Sequence, residues 1–580
     1  MKNKFFIKLF YIIFFILISS CETVDLNQTE NPSTSNRSAI DPVYAFNYVQ
    51  LLLPEFVDSA NNFTQRVTRQ MAMTGGDTYD NAFQPVNFNN NWSIAYDLLN
   101  TVKVMEPKAI QNKEFYALGA SKVIRVYVFM TLVDLYGDVP FTKALLGNDD
   151  LTPKYDSGAS IYKQLFLDLE DAKKYLDNIS NNGQYQDKPN SFVKDLYYGD
   201  RKKWITLSNT LKLKMLNNVR LASSDIGVSS ISTEINTILT ENNIIDTENE
   251  DFSFKYSSSR DVPNSRHPLY NDQYELGGGA YIGNYFLWCM TVEKGFLDVR
   301  APFYFYKQSG AIAGLDKFTL PGLFRPAHYD DPKYNSFFVP ATKACYSVSN
   351  WLGGNNPTEG FLGRDHGNNS GIPPDSDKRT VAGVYPIGGK YSTFSFSSSS
   401  VQRSGIDGAL GAGIMPIVMS SFVKFIKAEA MLTVPGVSGN PLSELVSAIN
   451  LSIDRVITPI NLGGKNYPVI SASDLNQIVK NRVIYINKIT NLFNTSTTNK
   501  KLELIIKEFY LASWGNGIEP YNNYRRTGYP SNMQPTLEIN SGNFYYTALY
   551  PSNETSNNPN VPKTDRTRRV FWDKSNLILN

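Results

Sequence analysis

Cysteine and histidine are nearly missing from this chain of 580 residues, which holds three of each. Two of the cysteines, Cys289 and Cys345, lie far from the start. Two thiols make no disulfide framework, and sequence alone does not place them within bonding distance. The histidines (His267, His328 and His366) are scattered, and none sits in a ligand spacing such as HExxH. That count argues against a zinc centre and against histidine-based catalysis. An excess of charge of either sign is also lacking, with 56 basic residues against 54 acidic ones. Such a balance gives no electrostatic reason to expect nucleic acid as a partner. Past the first twenty residues we find no long apolar stretch of the kind that crosses a bilayer.

What is present begins with MKNKFFIKLFYIIFFILISSC. Lys2, Lys4 and Lys8 precede an apolar run from Leu9 to Ile18, which ends in Ser19-Ser20. A short, basic-then-apolar opening that ends in small residues reads as a secretory signal over 1–20. Cys21 follows directly, in the position of a bacterial lipobox cysteine, where the thiol is acylated and becomes the new N-terminus. Each buried CH₂ of an acyl chain adds ~0.8 kcal/mol of membrane affinity, so several chains anchor firmly. Removing the signal takes the formal charge from +2 to −1. The expected mature chain is a lipid-tethered envelope protein, linked to its anchor by a polar tether over 21–41.

The remainder divides by pattern. From 42 to 249 the apolar residues recur at helical spacing. The segment 112–135 is apolar on most sides, and Ile161, Leu165, Leu169, Ala172 and Leu176 form a one-sided stripe. Ser157 or Ser160 is available to cap that stripe. From 250 to 414 the chain is rich in Gly, Pro, Ser and Tyr and holds no long helical period, so loops and short elements are expected. From 415 to 580 helical patterns return at 415–434, 441–456, 473–489 and 500–514, followed by a polar segment over 540–580. Ser471 with Asp474 fits a capping box. The fold class expected is mainly α, a tetratricopeptide-like scaffold of helix pairs with a loop-rich, ligand-facing lobe.

Several segments together resemble the SusD-like branch of the SusD/RagB family of nutrient-binding outer-membrane lipoproteins. They are LVDLYGDVPF (132–141), YYGDRKKWITLSNTLKLKMLNNVR (197–220), GRDHGNNSGIPPDSDKRTVAGVYPIGG (363–389), SFVKFIKAEAML (421–432), YNNYRRTGYP (521–530) and RVFWDK (569–574). One departure is LDVRAP (297–302), where Val299 replaces an expected proline and leaves that turn less fixed. The resemblance implies a lid-like binding protein on a SusC-like TonB-dependent barrel. It would deliver oligosaccharides, or oligopeptides, without a cofactor.

Candidate contacts come from two places. The loop 74–91 gathers Asp77, Tyr79, Phe83 and Asn89, a mixture of ring, carboxylate and amide suited to sugar faces and hydroxyls. The resemblance places part of the ligand site there, with Asp77 as its carboxylate. The glycine-rich centre adds Tyr281, Trp288 and Trp351. The bland reading of every ring is packing against its neighbours. Asp365, Asp375 and Asp377 offer hard oxygens for Ca²⁺, yet without the order of a calcium loop, so a solvated turn is the simpler reading. Glu429 and the pair Arg525-Arg526 read as charges bridging helices, and Trp204 and Trp514 as core. The expected role is binding rather than catalysis. The alternatives are a surface glycoside hydrolase, which needs two facing carboxylates, and a structural or adhesive surface lipoprotein.

Overall fold

The computed structural model describes residues 41–73, 78–177, 182–189, 194–275, 281–291, 293–294, 298–307, 320–321, 362–367, 380–388, 407–467, 470, 472–536, 538, 541–563 and 565–579. Cys21, Asp77, Cys345, Trp351, Asp375, Asp377 and the Ser471 cap lie outside the described residues. Residues from Pro42 onward form one compact unit.

Among the described residues six helices longer than ten residues come first: α1 (Pro42–Val67), α2 (Asn89–Asn112), α3 (Phe115–Tyr136), α4 (Gly158–Leu176), α5 (Arg201–Asn218) and α6 (Ile231–Glu241). Three of them begin at a side-chain cap, α6 at Ser230. Ser157 caps α4 by accepting from Ser160 N–H at 3.2 Å, which decides between the two candidate serines. Asp200 caps α5 through the N–H groups of Lys202 and Lys203. Helices α1 with α2, and α3 with α4, pack as pairs. Helix α3 is apolar all round because neighbours enclose it; every residue but Lys122 and Arg125 is buried. Contrary to the sequence reading, it is long and apolar enough to cross a membrane, but its apolar window is 89% buried inside the protein. Surrounding helices, not lipid, satisfy it.

The second group is α7 (Asn284–Thr291), α8 (Ser420–Thr433), α9 (Pro441–Ile457), α10 (Ala472–Thr495), α11 (Thr498–Ala512) and α12 (Ile518–Thr527). Helices α8 and α9 pair closely, and α11 packs on α8. The expected helix at 415–434 is corrected at its start: Ile414–Val418 is a strand, antiparallel to Phe252–Lys255. A short run of buried apolar residues does not reveal its own period, and Pro416 is poorly placed inside a helix. All sheet among the described residues is two-stranded. The polar segment 540–580 is corrected as well, since Phe544, Tyr545, Tyr546, Tyr550 and Trp572 are all buried.

Buried charges tie the halves together. Glu429 on α8 takes Arg526 Nη2 at 2.6 Å, Arg220 Nη1 at 3.2 Å and Asn217 Nδ2 at 3.0 Å. Burial alone would raise the Glu429 carboxyl; Arg526 and Arg220 hold it below its ordinary value. Trp204 and Trp514 are core. The turn at Val299 is fixed without proline: Asp298 accepts from Arg300 N–H at 2.9 Å and from its guanidinium at 2.7 Å.

Candidate ligand site

The candidate site grows from a crossing of backbones. After α1 the chain turns at Arg69, which holds a left-handed φ of 63°, costly for a residue with a side chain. Met71 then bridges Ile282, Ala72 N–H donates to Tyr281 O at 2.9 Å, and Gly283 N–H donates to Gln70 O at 3.0 Å. A third segment joins as Gly283 bridges Arg364 and Asn284 N–H reaches Arg364 O at 2.6 Å. The crossing demands glycine. A Cβ on Gly283 would stand 2.0 Å from Arg69 O, and one on Gly363 would stand 2.5 Å from Leu287.

Side chains lock the crossing from within. Gln534 is central: its Oε1 accepts from His366 N–H at 3.0 Å, and its Nε2 donates to Asp365 Oδ1 at 2.8 Å. Asn284 Nδ2 donates to the same Asp365 oxygen at 3.1 Å, and Arg69 Nε donates to Gln534 O at 2.6 Å. The Tyr79 hydroxyl meets His366 Nε2 at 2.5 Å, while Tyr79 N–H donates to Glu538 Oε2 at 2.8 Å. Burial, with Arg69 nearby, keeps the His366 imidazole neutral, well below its usual range. Burial also raises the Tyr79 phenol despite Arg69. Two neutral groups therefore face each other at this contact. Residues distant in sequence (69–72 and Tyr79, 281–284, 364–366, and Gln534 with Glu538) meet in one polar hub.

The rings beside the hub pack tilted or edge to face. Tyr79 lies 5.5 Å from Phe83 and 5.7 Å from Tyr545, and Phe63 lies 5.3 Å from Phe83 and 5.2 Å from Phe88. A capping box starts the short turn Tyr79–Ala82: Thr78 and Asn81 bond reciprocally. Asn89 opens α2 and accepts from Asn553 N–H at 3.1 Å, bracketing the C-terminal segment.

Set against the sequence reading, Tyr79, Phe83, Tyr281 and Trp288 are 3%, 2%, 1% and 0% exposed. As they stand these four rings present no face to solvent. Tyr281 carries the Arg364 guanidinium at 5.4 Å, and Trp288 on α7 packs by Tyr285 at 6.2 Å. The hub unites Tyr79 and Tyr281; Asn89 faces the C-terminal segment instead. Asp365 is buried under amide donors, and among the described residues no cluster of three or more His, Cys, Asp or Glu suits a metal ion. Cys289 is a free, buried thiol that burial pushes up, hence unreactive. Sequence reasoning missed His366, Gln534, Arg69 and Arg364. His366 and Arg364 sat inside the quoted GRDHG stretch, whereas nothing local marks Gln534.

Comparison with known proteins matches this architecture to a family. The family model described as "Starch-binding associating with outer membrane" matches residues 33–304. That described as "Susd and RagB outer membrane lipoprotein" matches residues 413–567. Between them they span most of the sequence, and the chain belongs to the SusD/RagB family, a family of outer-membrane lipoproteins. Solved structures share the fold. A SusD homolog from Bacteroides uniformis is 16% identical over 92% of this chain and 99% of its own, with a TM-score of 0.60. A chitin-binding SusD homolog from Flavobacterium johnsoniae is 17% identical over 93% and 98%, with a TM-score of 0.59. A SusD homolog from Bacteroides vulgatus is 15% identical over 92% and 98%, with a TM-score of 0.61. A search of curated proteins finds no match.

Proposed function

We propose that the chain is a non-catalytic receptor, lipid-anchored through Cys21 at the cell surface, that captures oligosaccharides or oligopeptides. It hands them to a SusC-like TonB-dependent barrel. The observation that carries this reading is the buried hub, which holds the chain on both sides of the stretch that contains Asp77: Ala72 is bonded to Tyr281 before it, and Tyr79 to His366 after it. A binding loop gains affinity when its frame is rigid before the ligand arrives. Family membership supports the receptor role, and the 17% identical chitin-binding relative supports glycan over peptide.

On this reading Asp77 and Trp351 touch cargo, while Tyr79, Phe83, Tyr281 and Trp288 hold the frame. Calorimetry with chitotetraose and maltotetraose tests it. Asp77→Ala and Trp351→Ala should each lower affinity about tenfold, or ~1.4 kcal/mol. Wild-type affinity for both variants would place the site elsewhere. No new reducing ends should form in the same mixtures; their appearance would favour a hydrolase. An affinity-tagged chain should retain a TonB-dependent barrel from detergent-solubilised envelopes.

A further inference from the structure

A cleft of about 410 Å³ lies on the helical scaffold, between α6 and the turn that follows α8. Its floor is apolar (Leu239, Ile244 and Met431), and its rim carries Thr240, Asn242 and Ser438. None of the hub residues lines it. Its volume falls within the ~300–1,000 Å³ usual for small-molecule sites.

The walls are held rigid before any ligand arrives. Asn236 clasps the facing turn at two points: its Nδ2 donates to Gly436 O at 2.8 Å, and its Oδ1 accepts from Ser438 N–H at 2.9 Å. Asn242 ends α6 in a left-handed conformation, with φ 49°. The turn beyond it is pinned to α5, where Asn209 Nδ2 donates to Asn243 O at 3.0 Å and Thr206 Oγ1 to Asn243 Oδ1 at 2.6 Å. Gly439 lets the turn sit directly on Met431, since a Cβ there would come within 2.3 Å of the methionine methyl.

Charge selects the ligand class. The one charged group lining the cleft, Lys427, is already matched by Glu444 at 2.9 Å and Asp246 at 3.8 Å. Neither an anion nor a cation finds an open counter-charge. Beyond Asn236, whose amide already holds the facing turn, the cleft offers three neutral side chains, two hydroxyls and an amide, around an aliphatic floor. Hydroxyl-bearing rings match that lining: their hydroxyls meet the rim and their C–H faces meet the floor.

We infer that this cleft is a neutral-saccharide site on the scaffold, separate from the loop site proposed above. Deuterium-exchange mass spectrometry of the whole mature protein tests it, with millimolar chitotetraose, maltotetraose, xylotetraose and mannotetraose as probes. At least one probe should protect peptides covering 236–244 and 434–440. Thr240→Trp, which fills the cleft from an exposed helix position, should abolish that protection, and Asp77→Ala should leave it intact. If Thr240→Trp melts below the wild type, Ser438→Phe carries the comparison. Absence of protection with all four probes, or protection that survives both fillings, overturns the inference. Loss of binding in Asp77→Ala alone bears only on the loop site.

Discussion

At the scale of single residues, Glu429 illustrates how a buried charge is tolerated. Its two guanidinium partners and one amide come from α12, from α5 and from the turn just after α5, and Glu429 itself is fully buried. Glu429→Gln would leave Arg526 and Arg220 buried beside a neutral amide, at a cost of about 3–5 kcal/mol. The folded carboxyl lies below its ordinary 4.5. Its contribution is therefore complete above that value and is lost as pH falls through the lower, folded one. Urea titrations of wild type and variant should show a wide stability gap at neutral pH that narrows in acid. A gap independent of pH would mean the charge itself contributes nothing. This residue was legible in the sequence, because an acid on an apolar helix demands a partner whatever the fold. Tyr79 was not: its surroundings include Tyr545, 466 positions away, and no local pattern tells whether a loop ring turns inward.

Elements were legible where one face differs from the other. The stripe of α4 and the helix at 441–456 follow their periodicity, and α9 begins where Asn440 caps it ahead of Pro441. Legibility failed where surroundings override composition, as at the strand Ile414–Val418 and in the segment after 540. Helix α10 separates the two influences. Its buried side carries Ile478, Tyr485, Ile489 and Phe493, while Leu475, Val479 and Val483 stay exposed. Ile489, fully enclosed, should lose about 2–5 kcal/mol when changed to serine. Val479 is 47% exposed, and the same change should stay within about 0.5 kcal/mol. Thermal denaturation of the two variants checks the contrast, and equal losses would mean that α10 is packed on both sides.

For the molecule as a whole, the N-terminal scaffold and the C-terminal segment form one structure. Asp134 on α3 accepts from Tyr162 OH at 2.5 Å, Asn522 Nδ2 at 2.8 Å and Trp572 Nε1 at 2.8 Å. Arg525 adds a bond to its carbonyl at 2.6 Å. Trp572→Ala should cost about 3–5 kcal/mol. By deuterium exchange, peptides from α3 and from 541–579 should loosen together. Loosening confined to the C-terminal peptides would show that α3 does not depend on them.

The bond from Trp572 to Asp134 spans 438 positions. A contact so remote forms only after nearly all the polypeptide between has been made, and closing so large a loop is slow. Until then Asp134 lacks its indole donor and the third helix stays incompletely enclosed. The last-made segment thereby completes the enclosure of a helix made near the beginning, and the N-terminal scaffold acquires its final rigidity only when the whole chain is present.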